Sequence, residues 1–180
     1  MKHKIYLASS WRNRYQPGLV QLLRSAPGGH EVYDFRNPAP DHSGFSWSEI
    51  DPEWEAWDCP KYRAGLSNPI AEKGFQMDMY ALENADIVVL LLPSGRSAHV
   101  EAAYHKGKGG VVIVHSPEPC EPELMYKMFN AITETDEELL ALLELGLDQL
   151  KNYTLAGPLP IRLRRTSDGV LRGSANAGLR

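Results

Sequence analysis

The chain has 180 residues and a formal net charge of -4, which fits one domain with a short appendage. This mildly acidic balance argues against a protein that binds nucleic-acid polymers, although a small phosphorylated ligand would need only a local cationic pocket. Cys59 and Cys120 are the only cysteines, and two distant cysteines form neither a disulfide framework nor a zinc cluster. The N-terminus has no signal-peptide-like stretch and no run is long enough to span a bilayer. We therefore expect a cytoplasmic protein without a membrane partner.

The first part of the chain predicts a strand, a helix and a second strand. KIYLA at 4–8 is short and apolar and precedes two serines, which is typical of a buried strand. Positions 15–25 place three leucines on one face of a helix. After the turn residues PGGH, the segment EVYDF at 31–35 predicts the second strand.

A long segment at 36–70 then interrupts the alternation of strands and helices. It is rich in Pro, Ser and Asp and contains Trp47, Trp54 and Trp57. Long loops of this kind commonly act as lids, so we expect the insertion to cover a ligand. Trp47 and Trp57 allow two interpretations, which are stacking on a flat base and forming a satellite core that pins the loop.

The following residues return to alternating helices and strands up to residue 151, after which the composition changes. We expect 152–180, rich in turn residues and cations, to be a flexible tail or an arm on a partner subunit. The predicted helices are 70–84, 98–106, 121–129 and 135–151, and the predicted strands are 86–92, 110–116 and a short NAIT strand at 130–133.

This alternation predicts an α/β fold of three layers, flavodoxin-like or Rossmann-like, over residues 1–151. We expect about five parallel strands in the order 2-1-3-4-5. In that order the topological switch lies between the first and third strands, and ligands bind beyond their carboxyl ends. The loops that follow these strands are 9–13 and 93–99, so the ligand is expected between them.

Small polar residues in these two loops form a possible anion cradle. Serine hydroxyls, backbone N–H groups and a guanidinium suit an anion, whereas ordinary turns explain the same composition without a ligand. The candidate binding residues are Ser9, Ser10 and Arg12 in the first loop and Ser94, Gly95 and Ser97 in the second.

Glu101 lies just beyond the second loop, at the start of a predicted helix. A structural interpretation is a carboxylate that favours the helix dipole, although Ser97 lies four residues before it and a capping box needs three. A functional interpretation is a carboxylate that faces the ligand loop. The positive end of the helix would then keep it ionised, as a nucleophile requires.

Asp78 shares the spacing i, i+3, i+7 with Phe75 and Leu82, which places it on the apolar stripe of its helix. A lone buried carboxylate is unfavourable unless it is paired or hydrogen-bonded, so this position suggests a function. The alternative is a position at the rim, where the carboxylate reaches water.

The order of these motifs resembles the nucleoside 2-deoxyribosyltransferase superfamily, which includes the 2'-deoxynucleoside 5'-monophosphate N-glycosidases. The motifs are IYLASSWR, an Asp-bearing helix and ADIVVLLLPSGRSAHVEAAYHKGK. The resemblance covers about 1–150 and is weakest in the insertion. A family tyrosine at the end of the first strand matches Tyr6, an aspartate on the helix before the third strand matches Asp78, and the nucleophilic glutamate matches Glu101.

Two further stretches resemble the family only in part. The Gly-Ser-x-Arg of the glycosidase branch corresponds to residues 9–12, where Ser9 replaces the glycine. The family also takes residues from a neighbouring subunit, which implies a homodimer or a dimer of dimers. Transferases carry Asn-Leu-Met at that point, whereas this chain has Glu123, Leu124 and Met125. An acidic residue at that point would repel a 5'-phosphate.

The resemblance implies cleavage of the N-glycosidic bond of a nucleoside or nucleotide, by (deoxy)ribosyl transfer or by hydrolysis. Glu101 would be the nucleophile, Asp78 would assist the leaving base or hold a sugar hydroxyl, and Tyr6 would position Glu101. No metal or redox cofactor is implied. Two alternatives stay open, namely an enzyme similar to NAD glycohydrolases and a nucleotide-binding sensor without catalysis.

Overall fold

The computed structural model describes residues 1–40 and 42–153, together with the backbone of 161–165 and 171–175. A five-stranded, fully parallel sheet has the order β2-β1-β3-β4-β5. Both the α/β class and the strand order that the alternation predicts are therefore confirmed. The strands are β1 Lys4–Ala8, β2 Glu31–Tyr33, β3 Ile87–Leu91, β4 Val111–His115 and β5 Ala131–Thr133.

Helices and short 3-10 segments surround this sheet. The described 3-10 segments are Trp47–Glu49, Trp54–Ala56 and Leu124–Met128. The helices are α1 Gln16–Ser25, α2 Cys59–Leu66, α3 Pro69–Glu83, α4 Arg96–Gly107, α5 Asp136–Leu143 and α6 Leu147–Lys151.

Two of the predicted helices were wrong in type or length. The predicted helix 121–129 is instead the short 3-10 segment, because Phe129 turns to an extended backbone and buries its ring as the chain enters β5. The predicted helix 135–151 is divided in two at Gly146, which has an extended conformation before α6. Glycine favours such a break because it loses more conformational freedom in a helix than other residues do.

The sheet is buried on both faces, and this burial explains the apolar runs of its central strands. Every residue of β3 and β4 is buried, as expected of parallel strands covered by helices on both sides. Side chains alternate between the faces along each strand. Ile5 and Leu7 consequently pack with α1 and α5, whereas Tyr6 and Ala8 pack on the side of α3 and α4. This alternation brings Tyr6 into the layer that carries Asp78 and Glu101.

The insertion 36–70 is folded rather than an open loop, since it contains two 3-10 segments and α2. Its aromatic rings pack edge to face around Trp47. The ring centroid of Trp47 lies 4.9 Å from that of Phe45, 5.6 Å from Trp57 and 6.0 Å from Tyr62. Of the two interpretations of the tryptophans, stacking on a base and forming a satellite core, this packing shows the satellite core.

Close contact with α3 fixes the insertion beside the sheet. A Cβ at Gly74 of α3 would stand only 2.7 Å from the Cβ of Phe45, so glycine permits the approach. Trp57 donates its indole N–H to the carboxylate of Asp51 at 2.6 Å, and this bond fixes the Trp57 ring within the aromatic cluster. The insertion thereby lies over the middle of α3.

Two further strands, β6 Ile161–Arg165 and β7 Leu171–Ala175, pair with each other in antiparallel orientation. No strand was predicted within 152–180. The rest of that predicted tail, 154–160, 166–170 and 176–180, lies outside the described residues, and its role stays a prediction. Among the helices of the described residues, none combines the length and apolar character needed to cross a membrane.

Candidate active site

Two tyrosines, one in the middle of β1 and one at the end of β2, meet two carboxylates from α3 and α4. Tyr6 and Tyr33 are neighbours in the parallel register, and their rings stack with centroids 5.3 Å apart. Tyr33 donates its O–H to Asp78 Oδ1 at 2.8 Å, and Tyr6 lies close enough to Glu101 to lower its pKa. Each carboxylate therefore has its own tyrosine neighbour. Tyr6, Asp78 and Glu101, which the sequence predicted as catalytic, lie together.

Asp78 is half-buried on α3, but the apolar stripe that predicted its position is only partly correct. Leu82 is buried as expected, whereas Phe75 is 61% exposed. The buried face of α3 instead runs through Ala71 and Leu82. Asp78 lies on this face, seven residues after Ala71 and four before Leu82, and Tyr33 reaches it there.

Burial governs the ionisation of both carboxylates. Burial, followed by the negative charge of Asp78, raises the pKa of Glu101 to about 7, although the interaction with the Tyr6 hydroxyl opposes the change. Burial also raises the pKa of Asp78, against the hydrogen bond from Tyr33. At neutral pH, Glu101 is consequently divided between its protonated and ionised forms.

This result corrects the expectation that the helix dipole keeps Glu101 ionised. α4 begins at Arg96, so Glu101 is its sixth residue. The dipole effect falls off within the first turn of a helix, and desolvation therefore prevails at this position. Burial and the charges of the nearby carboxylates also raise the pKa of Tyr6 and of Tyr33, so both phenols stay protonated and act as donors.

The raised pKa of Glu101 predicts a pH-dependent stability difference for Glu101→Gln. Because the folded protein holds this proton more tightly than the unfolded chain, the stabilising contribution is complete below about pH 4.5 and is lost as the pH rises through 7. The difference in free energy of unfolding between the variant and the wild type should therefore change in favour of the variant by about 1–3 kcal/mol when the pH rises from 4.5 to 8.5. Urea unfolding at both pH values measures this change.

Glu83→Gln is the matched control for that measurement. Glu83 is exposed, and its hydrogen bonds with Tyr104 and Lys108 lower its pKa, so its stabilising contribution grows with pH instead. Its variant should therefore show a small change of opposite sign. A stability difference for Glu101→Gln that is the same at both pH values would contradict the raised pKa.

In the first predicted binding loop, 9–13, the serine hydroxyls form hydrogen bonds within the protein. Ser9 donates its hydroxyl to the carbonyl of Leu91 at 3.4 Å, and the Ser10 hydroxyl accepts the backbone N–H of Arg12 at 3.2 Å. The Arg12 side chain is exposed. The turn interpretation thus accounts for Ser10, while the Arg12 guanidinium lies at the surface.

The candidate residues of the second loop, Ser94 to Ser97, lie where α4 begins. Gly95 is the N-cap of this helix and offers no side-chain cap, so a capping box between Ser97 and Glu101 is excluded. His99 donates from Nδ1 to the carbonyl of Gly95 at 2.8 Å, and its Nε2 accepts the O–H of Tyr126 at 2.8 Å. These bonds fix the entry of α4 while Gly95 and Ser97 stay exposed.

Two residues that tie the loops together were not predicted from the sequence. Buried Asn13 donates from Nδ2 to the carbonyls of Leu91 at 3.3 Å and Pro93 at 3.0 Å. Arg36 donates from Nη2 to the carbonyls of Ser10 at 2.6 Å and Asn13 at 2.8 Å. The ends of β1, β2 and β3 are thereby joined. The position of Asn13 inside the 9–13 loop was the available clue.

A cavity of about 290 Å³ lies beneath the insertion and is lined by Tyr33, Phe35, Phe45 and Asp78, among others. It lies between the insertion and α3, and of the three residues predicted as catalytic its lining includes Asp78 alone. Neither Trp47 nor Trp57 belongs to its lining, because both rings are engaged in the satellite core. Contact of these tryptophans with a substrate stays a prediction.

Glu123 and Met125, predicted to reach the site of a partner subunit, lie on the surface at the short 3-10 segment. The Glu123 carboxylate accepts the backbone N–H of Met125 at 2.9 Å, and the Met125 side chain is 56% exposed. Glu123 thus caps its own segment. A contribution to a partner's site stays a prediction.

No family model and no curated protein matches the chain. Among solved structures, a 2-deoxyribosyltransferase from Bacillus psychrosaccharolyticus is similar with a TM-score of 0.55 and 20% identity, over 88% of this chain and 100% of that one. This chain has the fold of a 2-deoxyribosyltransferase. At this identity the likeness concerns the fold alone, and at that level it confirms the resemblance inferred from the motifs.

Two other solved structures are similar at lower TM-scores. The CMP N-glycosidase of Clostridium botulinum has a TM-score of 0.44 and 15% identity, over 81% of this chain and 100% of that one. A conserved protein from Enterococcus faecalis V583 has a TM-score of 0.46 and 16% identity, over 84% of this chain and 99% of that one.

Proposed function

We propose that this protein cleaves the N-glycosidic bond of a nucleoside or nucleotide, with Glu101 as the nucleophile, by (deoxy)ribosyl transfer or by hydrolysis. The observation that carries the proposal is the pair of carboxylates, Asp78 and Glu101, each with a tyrosine partner. They lie at the edge of the sheet where this type of fold binds its ligands. The shared fold with a 2-deoxyribosyltransferase supports the same chemistry.

The reaction divides into two displacements at the anomeric carbon. The ionised carboxylate of Glu101 attacks that carbon, so a carbon–oxygen bond forms while the bond to the base nitrogen breaks. The base leaves with the bonding electron pair and takes up a proton. A second base or a water molecule then attacks the same carbon, displaces Glu101 and gives up a proton.

The electrostatics of the site suit these roles. A pKa of about 7 leaves Glu101 an ionised fraction at neutral pH, and the Tyr6 hydroxyl beside it favours that form. Asp78, with its raised pKa and its position on the cavity, is suited to protonate or orient the leaving base. Tyr33 holds the Asp78 carboxylate in place.

The sugar and its 5' end are assigned to the two loops that flank the carboxylates. Backbone N–H groups at the start of α4 and the exposed guanidinium of Arg12 offer donors there. Asn13 and Arg36 keep the loops in register through their bonds to main-chain carbonyls. The candidate contacts remain Ser9, Ser10, Arg12, Ser94, Gly95 and Ser97.

A substrate panel tests the proposal directly. The protein is incubated with deoxynucleosides, ribonucleosides, their 5'-monophosphates and NAD, with and without a second free base, and chromatography detects released or exchanged base. Base exchange indicates transfer, and base release alone indicates hydrolysis. Nicotinamide release from NAD alone would favour the NAD glycohydrolase alternative. Tight nucleotide binding without any release would favour a sensor and contradict the proposed reaction.

We also propose that the protein is a homodimer or a dimer of dimers. Exposed apolar side chains on neighbouring surface segments support this assembly, including Val100 at 68% and Leu124 at 73% exposure. Sedimentation velocity at micromolar concentration should show a mass above 20.1 kDa, and Leu124→Asp should shift it toward the monomer. Lys127→Asp, an exposed change in the same 3-10 segment, is the control. A monomeric wild type would contradict the assembly.

A further inference from the structure

The cavity beneath the insertion has the character of a site for a flat ring. Its lining is predominantly apolar, and the rings of Phe35 and Phe45 contribute to the wall. Phe45 is held rigidly because it packs between Trp47 and Gly74. Small pockets of aromatic side chains with a few placed polar groups are typical of ligand sites. The cavity contains Asp78, so a ring bound there lies next to the proposed reacting centre.

Lys73 supplies a hydrogen-bond donor to this cavity, from the same helix as Asp78 and five residues before it. The five residues correspond to about 7.5 Å along the helix axis. The two polar groups therefore belong to different parts of the cavity wall.

Within the described residues, Lys73 contacts His42. His42 Nδ1 lies 2.5 Å from the carbonyl of Ser43, so Nδ1 carries a proton and donates it. The other nitrogen, Nε2, then accepts from Lys73 Nζ at 3.4 Å. Lys73 belongs to none of the ion pairs within the described residues. Its ammonium group keeps two further N–H donors for a ligand.

Glu49 supplies an acceptor to the same cavity. Its Oε1 accepts the backbone N–H of Ser46 at 2.8 Å, which fixes the side chain and leaves Oε2 without a protein partner among the described residues. Glu49 and Lys73 form no ion pair there. The cavity therefore presents a separate donor and acceptor to a ligand edge.

We propose that this cavity binds the leaving base of the proposed reaction and selects bases with a lactam edge, where a ring N–H stands beside a carbonyl oxygen. The inference rests on the proposed function. The carbonyl of a 6-oxopurine, uracil or thymine accepts from Lys73, and the adjacent N–H donates to Glu49. Adenine and cytosine present an amino donor beside a ring-nitrogen acceptor, so both protein groups lose their partners.

Matched substrate pairs test this selection. Deoxyinosine is compared with deoxyadenosine, and deoxyuridine with deoxycytidine, because each pair exchanges the oxo group for an amino group. The lactam member should have the higher kcat/KM by about 10-fold to 100-fold, the range for a hydrogen bond to a charged group. Lys73→Met should remove most of this preference. Lys61→Met, an exposed lysine on α2 outside the cavity lining, should keep it.

A binding measurement separates this inference from the proposed reaction. Calorimetry compares hypoxanthine with adenine on Glu101→Gln, with and without Lys73→Met. Tighter hypoxanthine binding that depends on Lys73 supports the cavity assignment even where no substrate is turned over. Base release without a lactam preference, or a preference that survives Lys73→Met, overturns the assignment and leaves the reaction intact. Failure of both bases to bind overturns the assignment as well.

Discussion

Glu101→Gln should leave the fold intact and lower turnover by at least about three orders of magnitude, which corresponds to about 4 kcal/mol of transition-state free energy. Glutamine keeps the shape and hydrogen-bonding reach of glutamate, so packing beside Tyr6 should survive. It lacks the negative charge that forms the covalent bond and stabilises the cationic sugar. The measurement is the rate of base release on the best substrate of the panel. Circular dichroism checks the fold.

A second variant tests the nucleophile role more directly. Glu101→Ala opens a space that a small anion can enter, so azide should restore activity and yield a glycosyl azide. Glu83→Gln, an exposed carboxylate change on α3, is the matched control and should turn over like the wild type. Base release by Glu101→Gln at close to the wild-type rate would refute the mechanism, whatever the substrate.

Asp78→Asn should lower kcat by about 100-fold, within the usual range for general acid–base catalysis. The loss should shrink for substrates whose base leaves readily without a proton, because asparagine cannot supply one. Removing the Asp78 charge should also lower the pKa of Glu101, so the acidic limb of the pH–rate profile should move to lower pH. The measurement is kcat against pH for a good and a poor leaving base.

Tyr33→Phe is the matched control for Asp78, since it removes the hydrogen bond but keeps the carboxylate. It should have a smaller effect on kcat than Asp78→Asn, and the same ranking of leaving bases as the wild type. An equal loss for good and poor leaving bases in Asp78→Asn would assign Asp78 to sugar orientation rather than proton donation.

The strands followed from the sequence because the cause of each strand is local. Parallel strands buried on both faces need continuous apolar runs, and 86–92 and 110–116 supplied them. The alternation with helices then predicted the order that the sheet has. Helix ends were less predictable: the break at Gly146 and the 3-10 form of Leu124–Met128 depend on where α6 and β5 must pack.

The sequence predicted only part of the candidate site. Motif order pointed to Tyr6, Asp78 and Glu101, and the structure places them together. Tyr33 was missed as a partner of Asp78, since the two are 45 residues apart and meet only when β2 packs beside α3. Lys73 lies in a helix whose sequence pattern gave no sign of a cavity, because the insertion forms the opposite wall.

The sequence pattern alone predicted the parallel sheet, its strand order and the edge of the sheet beside which Asp78 and Glu101 lie. Long-range packing sets how those carboxylates ionise, how the insertion folds and which side chains share a cavity. The reason is physical: strand formation depends on neighbouring residues in the chain, whereas the pKa of Glu101 depends on burial and on the charge of Asp78. Those quantities are set by groups far apart in the sequence, and folding alone brings them together.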